Sequence, residues 1–275
     1  LEKTQKLSSY LPYGHHSISK EDCLAVENAL KSDWITQGKT IEEFEKAFAK
    51  YTNAKYAIAV NSGTSALELA VRAAGISHGT EAITTPLSFV ATANSVLFNN
   101  GRPVFSDIEQ DTLNLDASEA GNKITGKTKA IIPVHFAGLP VNLNEFRELC
   151  EKKDLALVED ACHALGAKYE NKKIGDGSFL ACYSFHPVKH ITTGEGGMIV
   201  TNNEEIADRL RLLRNHGIDS SARERFGKEK GYAYDVLELS RNYRITDFQC
   251  ALGISQLSKI SEFLEKRRNI AERYS

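Results

Sequence analysis

The spacing of apolar residues divides this chain into two parts. The first fifty or so residues repeat at helical intervals. Ser19, followed three residues later by Asp22, forms a capping box ahead of a first helix. Ile41, Phe44, Phe48 and Tyr51 share one face of a second, whose acids come early, as the helix dipole favours. From Lys55 onward, short apolar runs alternate with amphipathic stretches. YAIAV (56–60), AITTP (82–86), PVFSDI (103–108), AIIPVHF (130–136), ALVEDA (156–161), ACYSF (181–185) and MIVTN (198–202) predict strands, and segments such as TSALELAVRAAG and NLNEFRELCEKK predict helices between them. That alternation argues a largely parallel sheet covered on both faces, an α/β fold. Ligands bind beyond the strand C-terminal ends of such sheets. Asn61-Ser62-Gly63-Thr64, Glu159-Asp160 and Ser184 all stand where a predicted strand runs out.

Composition narrows the picture without changing it. The chain has 275 residues, 41% hydrophobic and 25% charged, with a formal net charge of −2, enough for one large domain with a real core. A near-neutral balance supplies no electrostatic reason for a nucleic-acid or membrane partner. No run approaches the roughly 20 apolar residues of a membrane span, and the N-terminus lacks a signal-peptide core. Five cysteines, an odd number without a C-x-x-C pair, predict reduced and mostly buried thiols in a cytoplasmic protein, and no metal site. The first residue is Leu1, the single methionine is Met198, and the closing run SKISEFLEKRRNIAERYS reads as a helix that leads onward. The sequence is therefore expected to be part of a longer chain.

One motif fails on context. Residues 121–128, GNKITGKT, fit the phosphate-loop pattern G-x-x-x-x-G-K-[ST]. That loop needs a strand before it and a helix after it, so that backbone N–H groups and the helix dipole meet phosphate. Here the predicted order is helix, then strand.

Four features carry chemistry. In SFHPVKHITTGEGG (184–197) a lysine, Lys189, follows a strand and precedes Gly194, Gly196 and Gly197, which permit close backbone approach to a bulky group. Taken alone, Lys189 reads as a solvated surface lysine. Asp160 ends an apolar strand, where an acid serves either as a helix cap or as a partner for a ligand. Ser62-Gly63-Thr64 opens a helix, where free N–H groups bind an anion or simply take a cap. Phe89, in TPLSFVATA, is a core aromatic unless a flat ligand exists for it. Together the four answer one need: a phosphorylated aromatic aldehyde wants a phosphate cradle, a stacking surface, an acid for its ring nitrogen and an amine for its aldehyde.

The runs VNSGTSAL, TTPLSFVATAN, VEDACHALGA, SFHPVKHITTGEGG, LRNHG and NYRITDFQCALGISQL, in that order, resemble the blocks of the DegT/DnrJ/EryC1/StrS sugar aminotransferases from about Tyr13 to the end. The resemblance implies the three-layer α/β/α fold of the aspartate aminotransferase class (fold type I). Residues 1–250 would form N-terminal helices and a cofactor-binding large domain. Residues 251–275 would form a connecting helix into a small domain that is largely absent. It implies pyridoxal 5'-phosphate (PLP) held as a Schiff base by Lys189, with Asp160 on the ring nitrogen, His163 near the ring hydroxyl, Phe89 stacked on the ring, and Gly63, Thr64 and Ser184 on the phosphate. Tyr13, Asp33, Trp34, Ile35, Thr36, Ser62 and Asn242 match positions that contact substrate or cofactor, Asn242 from the second subunit of a homodimer. His163 departs from a position often glutamine in relatives.

Among family branches, the blocks look most like those of pseudaminic acid biosynthesis. That implies amino transfer from L-glutamate to C4 of UDP-2-acetamido-2,6-dideoxy-β-L-arabino-hex-4-ulose; another UDP- or dTDP-keto sugar is the alternative. Dehydrating relatives carry histidine in place of the lysine, so Lys189 argues against that chemistry, and His190 is only its neighbour. A non-catalytic, cofactor-binding scaffold is the remaining reading.

Overall fold

Each of the seven predicted runs forms a strand of one sheet in the computed structural model, which describes residues 10, 12, 14–219 and 234–274. The strands are β1 (Tyr56–Val60), β2 (Glu81–Thr84), β3 (Arg102–Phe105), β4 (Thr128–Ile132), β5 (Ala156–Asp160), β8 (Leu180–Ser184) and β9 (Gly197–Thr201); a two-residue hairpin, β6 (Lys168–Tyr169) and β7 (Lys172–Lys173), stands apart. The order is β1-β9-β8-β5-β4-β2-β3. From β3 to β8 every pairing is parallel, whereas β9 runs antiparallel to both β8 and β1. The sheet is thus mostly parallel, as expected. The reversal of β9 is invisible in its composition.

The helices are α1 (Lys20–Leu30), α2 (Lys39–Thr52), α3 (Gly63–Ala73), α4 (Ala91–Phe98), α5 (Ala117–Asn122), α6 (Leu143–Lys153), α7 (Glu204–Arg214), α8 (Asp247–Ser258) and α9 (Ile260–Tyr274). The Ser19 capping box forms as predicted: Ser19 N–H donates to Asp22 Oδ2 at 2.9 Å and Asp22 N–H to Ser19 Oγ at 3.4 Å. On α2 the stripe Ile41, Phe44 and Phe48 is buried, and Phe44 lies 5.3 Å from Phe185, Phe48 5.1 Å from Tyr183, between ring centroids.

Two cores flank the sheet. One joins α2, α5, α6 and α8 to the strand face carrying Ala57, Ile131, Leu157, Ala181 and Tyr183. The other joins α3, α4 and α7 to the face carrying Ile58, Ile132, Val158, Leu180 and Cys182. These are the three layers of the expected fold. One expectation shifts in detail. The AIIPVHF strand is interrupted at Pro133, which has no N–H to offer the ladder, and pairing with β5 resumes beyond it: Pro133 O accepts Asp160 N–H at 2.9 Å, Val134 bridges Asp160, and His135 N–H donates to Asp160 O at 3.1 Å. Residue 250 lies inside α8, which packs along α1 and α2. Residues 121–128 connect α5 to β4, the wrong order for a phosphate loop. No helix among the described residues is long and apolar enough to cross a membrane. Cys150, Cys182 and Cys250 are buried free thiols, whereas Cys23 is exposed.

Candidate active site

Side-chain alternation decides what the strand ends present. Along β8, Ala181, Tyr183 and Phe185 face the α2 layer, so Cys182 and Ser184 face α3. Along β5, Leu157 and Ala161 face the α2 layer, so Val158 and Asp160 share the α3 side. The two strands are parallel neighbours with Asp160 opposite Cys182. A hydroxyl and a carboxylate therefore emerge on one face at one end of the sheet.

On that face α3 begins. Ser62 caps it, its Oγ accepting Ser65 N–H at 3.0 Å, and Ser62 O accepts Ala66 N–H at 3.0 Å. The N–H groups of Gly63 and Thr64 lie ahead of that ladder, where a helix binds anions. A Cβ at Gly63 would sit 2.7 Å from Ser184 Cβ, and one at Gly197 would sit 2.3 Å from Ser62 O. Both positions must be glycine for the helix start, Ser184 and the head of β9 to close into one cradle.

The reversed β9 explains the lysine. Because β8 and β9 form an antiparallel pair ending at Ser184 and Gly197, residues 185–196 are the loop of a long hairpin. Phe185 N–H donates to Gly196 O at 2.9 Å, Thr193 N–H to Phe185 O at 3.1 Å and Thr192 Oγ1 to Phe185 O at 2.9 Å. Lys189, partly buried, sits within this cross-braced loop. Its carbonyl accepts Arg267 Nη2 of α9 at 3.0 Å.

A cavity of about 570 Å³ collects Ser62, Gly63, Thr64, Phe89, Asp160, His163, Ser184 and Lys189, with Ser88, Cys162 and Glu195 as further walls. Asp160 is 4% exposed; its Oδ2 accepts Thr92 Oγ1–H at 2.7 Å and its Oδ1 accepts Cys162 N–H at 3.2 Å. Burial, then the Lys189 charge, lowers the His163 pKa against the opposing pull of Asp160, so that imidazole is neutral at physiological pH. Burial and the Asp160 carboxylate push the Cys162 thiol well up, which leaves it protonated. Phe89 is 72% exposed, so it is no core residue; its ring lines the cavity and lies open to whatever fills it. The donor set fits PLP: an amine, a buried carboxylate, an exposed flat ring, and a phosphate cradle that any side chain at residue 63 would obstruct.

Asp33, Trp34, Ile35, Thr36 and Asn242 do not join this cavity within one chain. Asp33 and Trp34 line a separate groove with Lys39, Thr40 and Asp247, and Thr36 forms a bridge with Thr246. Ile35 is half exposed. Asn242 is exposed, its carbonyl accepting Asn61 Nδ2 at 3.4 Å and its Oδ1 accepting Arg244 N–H at 3.1 Å. Tyr13 lies outside the described residues. Sequence reasoning missed Ser88 and Thr92, whose i, i+4 spacing around Phe89 was the available signal. It also missed the buried pair in which His135 Nε2 lies 3.1 Å from Glu159 Oε2. His135 Nδ1 accepts Val141 N–H at 3.2 Å, so Nε2 carries the proton that Glu159 accepts.

Residues 16–275 match the DegT/DnrJ/EryC1/StrS aminotransferase family. The UDP-4-amino-4,6-dideoxy-N-acetyl-beta-L-altrosamine transaminase of Campylobacter jejuni is 42% identical over 267 residues, 96% of this chain and 68% of that protein. Helicobacter pylori PseC, an aminotransferase of pseudaminic acid biosynthesis, superposes with a TM-score of 0.87 at 37% identity, covering 96% of this chain and 69% of its own. The sugar aminotransferase Spr1654 of Streptococcus pneumoniae in its PLP form superposes with a TM-score of 0.88 at 29% identity, covering 96% and 70%. With the cradle, the acid and the lysine in one cavity, this chain belongs to the DegT/DnrJ/EryC1/StrS aminotransferase family.

Proposed function

We propose that the protein is a PLP-dependent nucleotide-sugar aminotransferase. It moves the amino group of L-glutamate to C4 of a UDP-linked 4-keto-6-deoxy sugar, UDP-2-acetamido-2,6-dideoxy-β-L-arabino-hex-4-ulose, in the cytoplasm. One observation carries the reading: Lys189, Asp160, the Gly63–Thr64–Ser184 cradle and the exposed face of Phe89 meet in one cavity. The likeness to the Campylobacter jejuni and Helicobacter pylori proteins supports the substrate.

Bound there, PLP supplies an electron sink for the bonds around the amino-acid α-carbon. The residues do the rest. Lys189 would hold the cofactor through its amine and would carry a proton between the reacting carbons. Asp160 holds positive charge on the ring nitrogen. A carboxylate and a cation about 4 Å apart at an effective dielectric near 20 attract by roughly 4 kcal/mol, so Asp160 would favour a protonated ring nitrogen. The Thr92 hydroxyl and Cys162 N–H keep the carboxylate pointed inward. Gly63 and Thr64 N–H groups with Ser184 Oγ anchor the phosphate, and neutral His163 accepts or donates a hydrogen bond beside the ring. Asn242, exposed and outside its own chain's cavity, serves the second subunit of a homodimer. Tyr13 and Asp33 to Thr36 meet the sugar.

Purified protein is incubated with L-glutamate and a panel of UDP- and dTDP-4-keto sugars, and products are read by mass spectrometry. The named UDP sugar should gain an amine with formation of 2-oxoglutarate. Lys189→Ala should lose both product and the protein's yellow absorbance. Aminated product from Lys189→Ala would overturn the assignment.

A further inference from the structure

Thr92 is almost fully buried, 1% exposed, in the first turn of α4, and three oxygens surround its hydroxyl. Asp160 Oδ2 lies at 2.7 Å, Ser88 Oγ at 2.6 Å and Phe89 O at 3.1 Å. A threonine has one proton to give, and an ionised carboxylate takes it in preference to a neutral oxygen because that bond is charge-assisted. Thr92 therefore donates to Asp160. The short contact to Ser88 is then satisfied only if Ser88 donates to Thr92. Ser88 lines the cavity, so a hydroxyl chain of fixed direction runs from the cavity wall through Thr92 to the back of the carboxylate.

Asp160 has no second anchor of equal quality. Its other contacts come from Cys162, whose N–H donates to Oδ1 at 3.2 Å and whose protonated thiol, a weak donor, also meets the carboxylate, and it must still face the cavity. We propose that Thr92 is a positioning residue for amino transfer: through the Ser88–Thr92–Asp160 hydrogen-bond chain it holds Asp160 as an acceptor aimed at the cofactor's ring nitrogen, and it ties that acid to the loop that presents Phe89. This rests on the functional reading above and deepens it. Without the Thr92 proton, one carboxylate oxygen is buried without a donor, and the carboxylate competes with the ring nitrogen for its proton. Chains of this kind polarise one another, so loss of the outer link weakens the inner one.

The test uses cofactor-loaded Thr92→Val, Thr92→Ser and Ser88→Ala. The decay of the yellow absorbance after L-glutamate is added gives the rate of the first half of the reaction, and a pH titration of the same absorbance gives a midpoint. Thr92→Val keeps shape but loses the donor, and a hydrogen bond to a charged group is worth enough for a loss of about thirtyfold in rate. Its titration midpoint should rise by about one unit, because a less positive ring lets the lysine nitrogen hold its proton to higher pH. Thr92→Ser should stay within about threefold of the parent, and Ser88→Ala should shift in the same direction by less. A packing role alone would lower the unfolding midpoint of the cofactor-free protein without moving the titration.

An unmoved midpoint in Thr92→Val overturns the inference, and so does equal damage in Thr92→Ser. Lys189→Ala run in parallel separates the two levels. If it loses its colour while Thr92→Val behaves as the parent, the inference alone falls. If it keeps its colour, the functional reading falls too.

Discussion

The cofactor cavity and the segments expected to meet the sugar are built in opposite ways. Asp160 and Ser184 close their strands, Ser62 to Thr64 follow β1 directly, and Phe89 and Lys189 stand in the loops that leave β2 and β8. Adjacent strands separated by fixed spacing and alternation leave those groups little freedom. Asp33 to Thr36 lie in a loop between α1 and α2, held by residues more than two hundred positions away. Asp247, 1% exposed, accepts Gly38 N–H at 2.8 Å and Thr40 N–H at 3.1 Å, and donates its own N–H to Ile35 O at 3.0 Å.

The sharpest break of that contrast is Asp160→Asn. The amide keeps the shape, and its oxygen can still accept from Thr92, but it brings no charge to the ring nitrogen. The fold should survive, since the residue sits at the edge of the cavity. Amino transfer should fall by orders of magnitude, in line with the roughly 4 kcal/mol assigned to the pairing. Near-normal turnover with L-glutamate would show that the strand-end acid is not part of the chemistry.

A smaller effect, confined to the other region, is expected for Asp247→Asn. One amide oxygen cannot replace two carboxylate oxygens that accept from two backbone N–H groups, and the new NH2 faces a donor. Loosening the loop at Gly38 should raise KM for the sugar about tenfold, the equivalent of one weakened charge-assisted bond. The rate with L-glutamate alone should not change, because no cavity wall depends on the clasp. Equal losses in both half-reactions would mean that the two regions are not independent.

Legibility in the sequence followed the same division. The seven strands, the capping box at Ser19 and the helix start at Ser62 are local, and residues close in sequence sufficed to read them. Asp160, Gly63 and Ser184 were legible because strand ends in such sheets are where ligands go, and alternation puts Asp160 and Ser184 on one face, whereas Lys189 taken alone read as a surface lysine and gained its role from the family resemblance. The direction of β9 was not legible, since MIVTN is as apolar as a parallel strand, yet it turns the lysine segment into a hairpin loop. Nor were the Asp247 clasp and the Thr92–Asp160 bond, which join residues 209 and 68 positions apart. Tyr13, Asp33 to Thr36 and Asn242 came from family resemblance alone; of these, Asp33 to Thr36 and Asn242 are residues that a single chain does not bring to its own cavity.

The least effect on activity and the clearest on stability is expected where α1 is fastened to α8. Asp22 is fully buried and accepts Ser255 Oγ–H at 2.6 Å, Gln256 Nε2–H at 2.8 Å and Lys259 Nζ–H at 2.6 Å. Burial pushes its carboxyl up, but the Lys259 ammonium and the Ser19, Ser255 and Gln256 donors outweigh it and hold it at about 2, below the ordinary 3.8. A carboxyl depressed on folding contributes stability that is complete above 3.8 and is lost as pH falls through about 2. Slightly under two units corresponds to about 2 kcal/mol. Urea unfolding of the cofactor-free protein across this range should show that loss in the parent and not in Asp22→Asn. The variant should be weaker by about 2 kcal/mol near neutrality, with the two curves converging at the acid end. Gln256 Oε1 also accepts Thr192 N–H at 3.4 Å, a weak tie to the lysine loop. If the sheet end alone positions Lys189, the rate with L-glutamate at neutral pH should stay within about twofold of the parent. A larger drop would make the α1–α8 fastening part of the cofactor site and erase the division between the two regions.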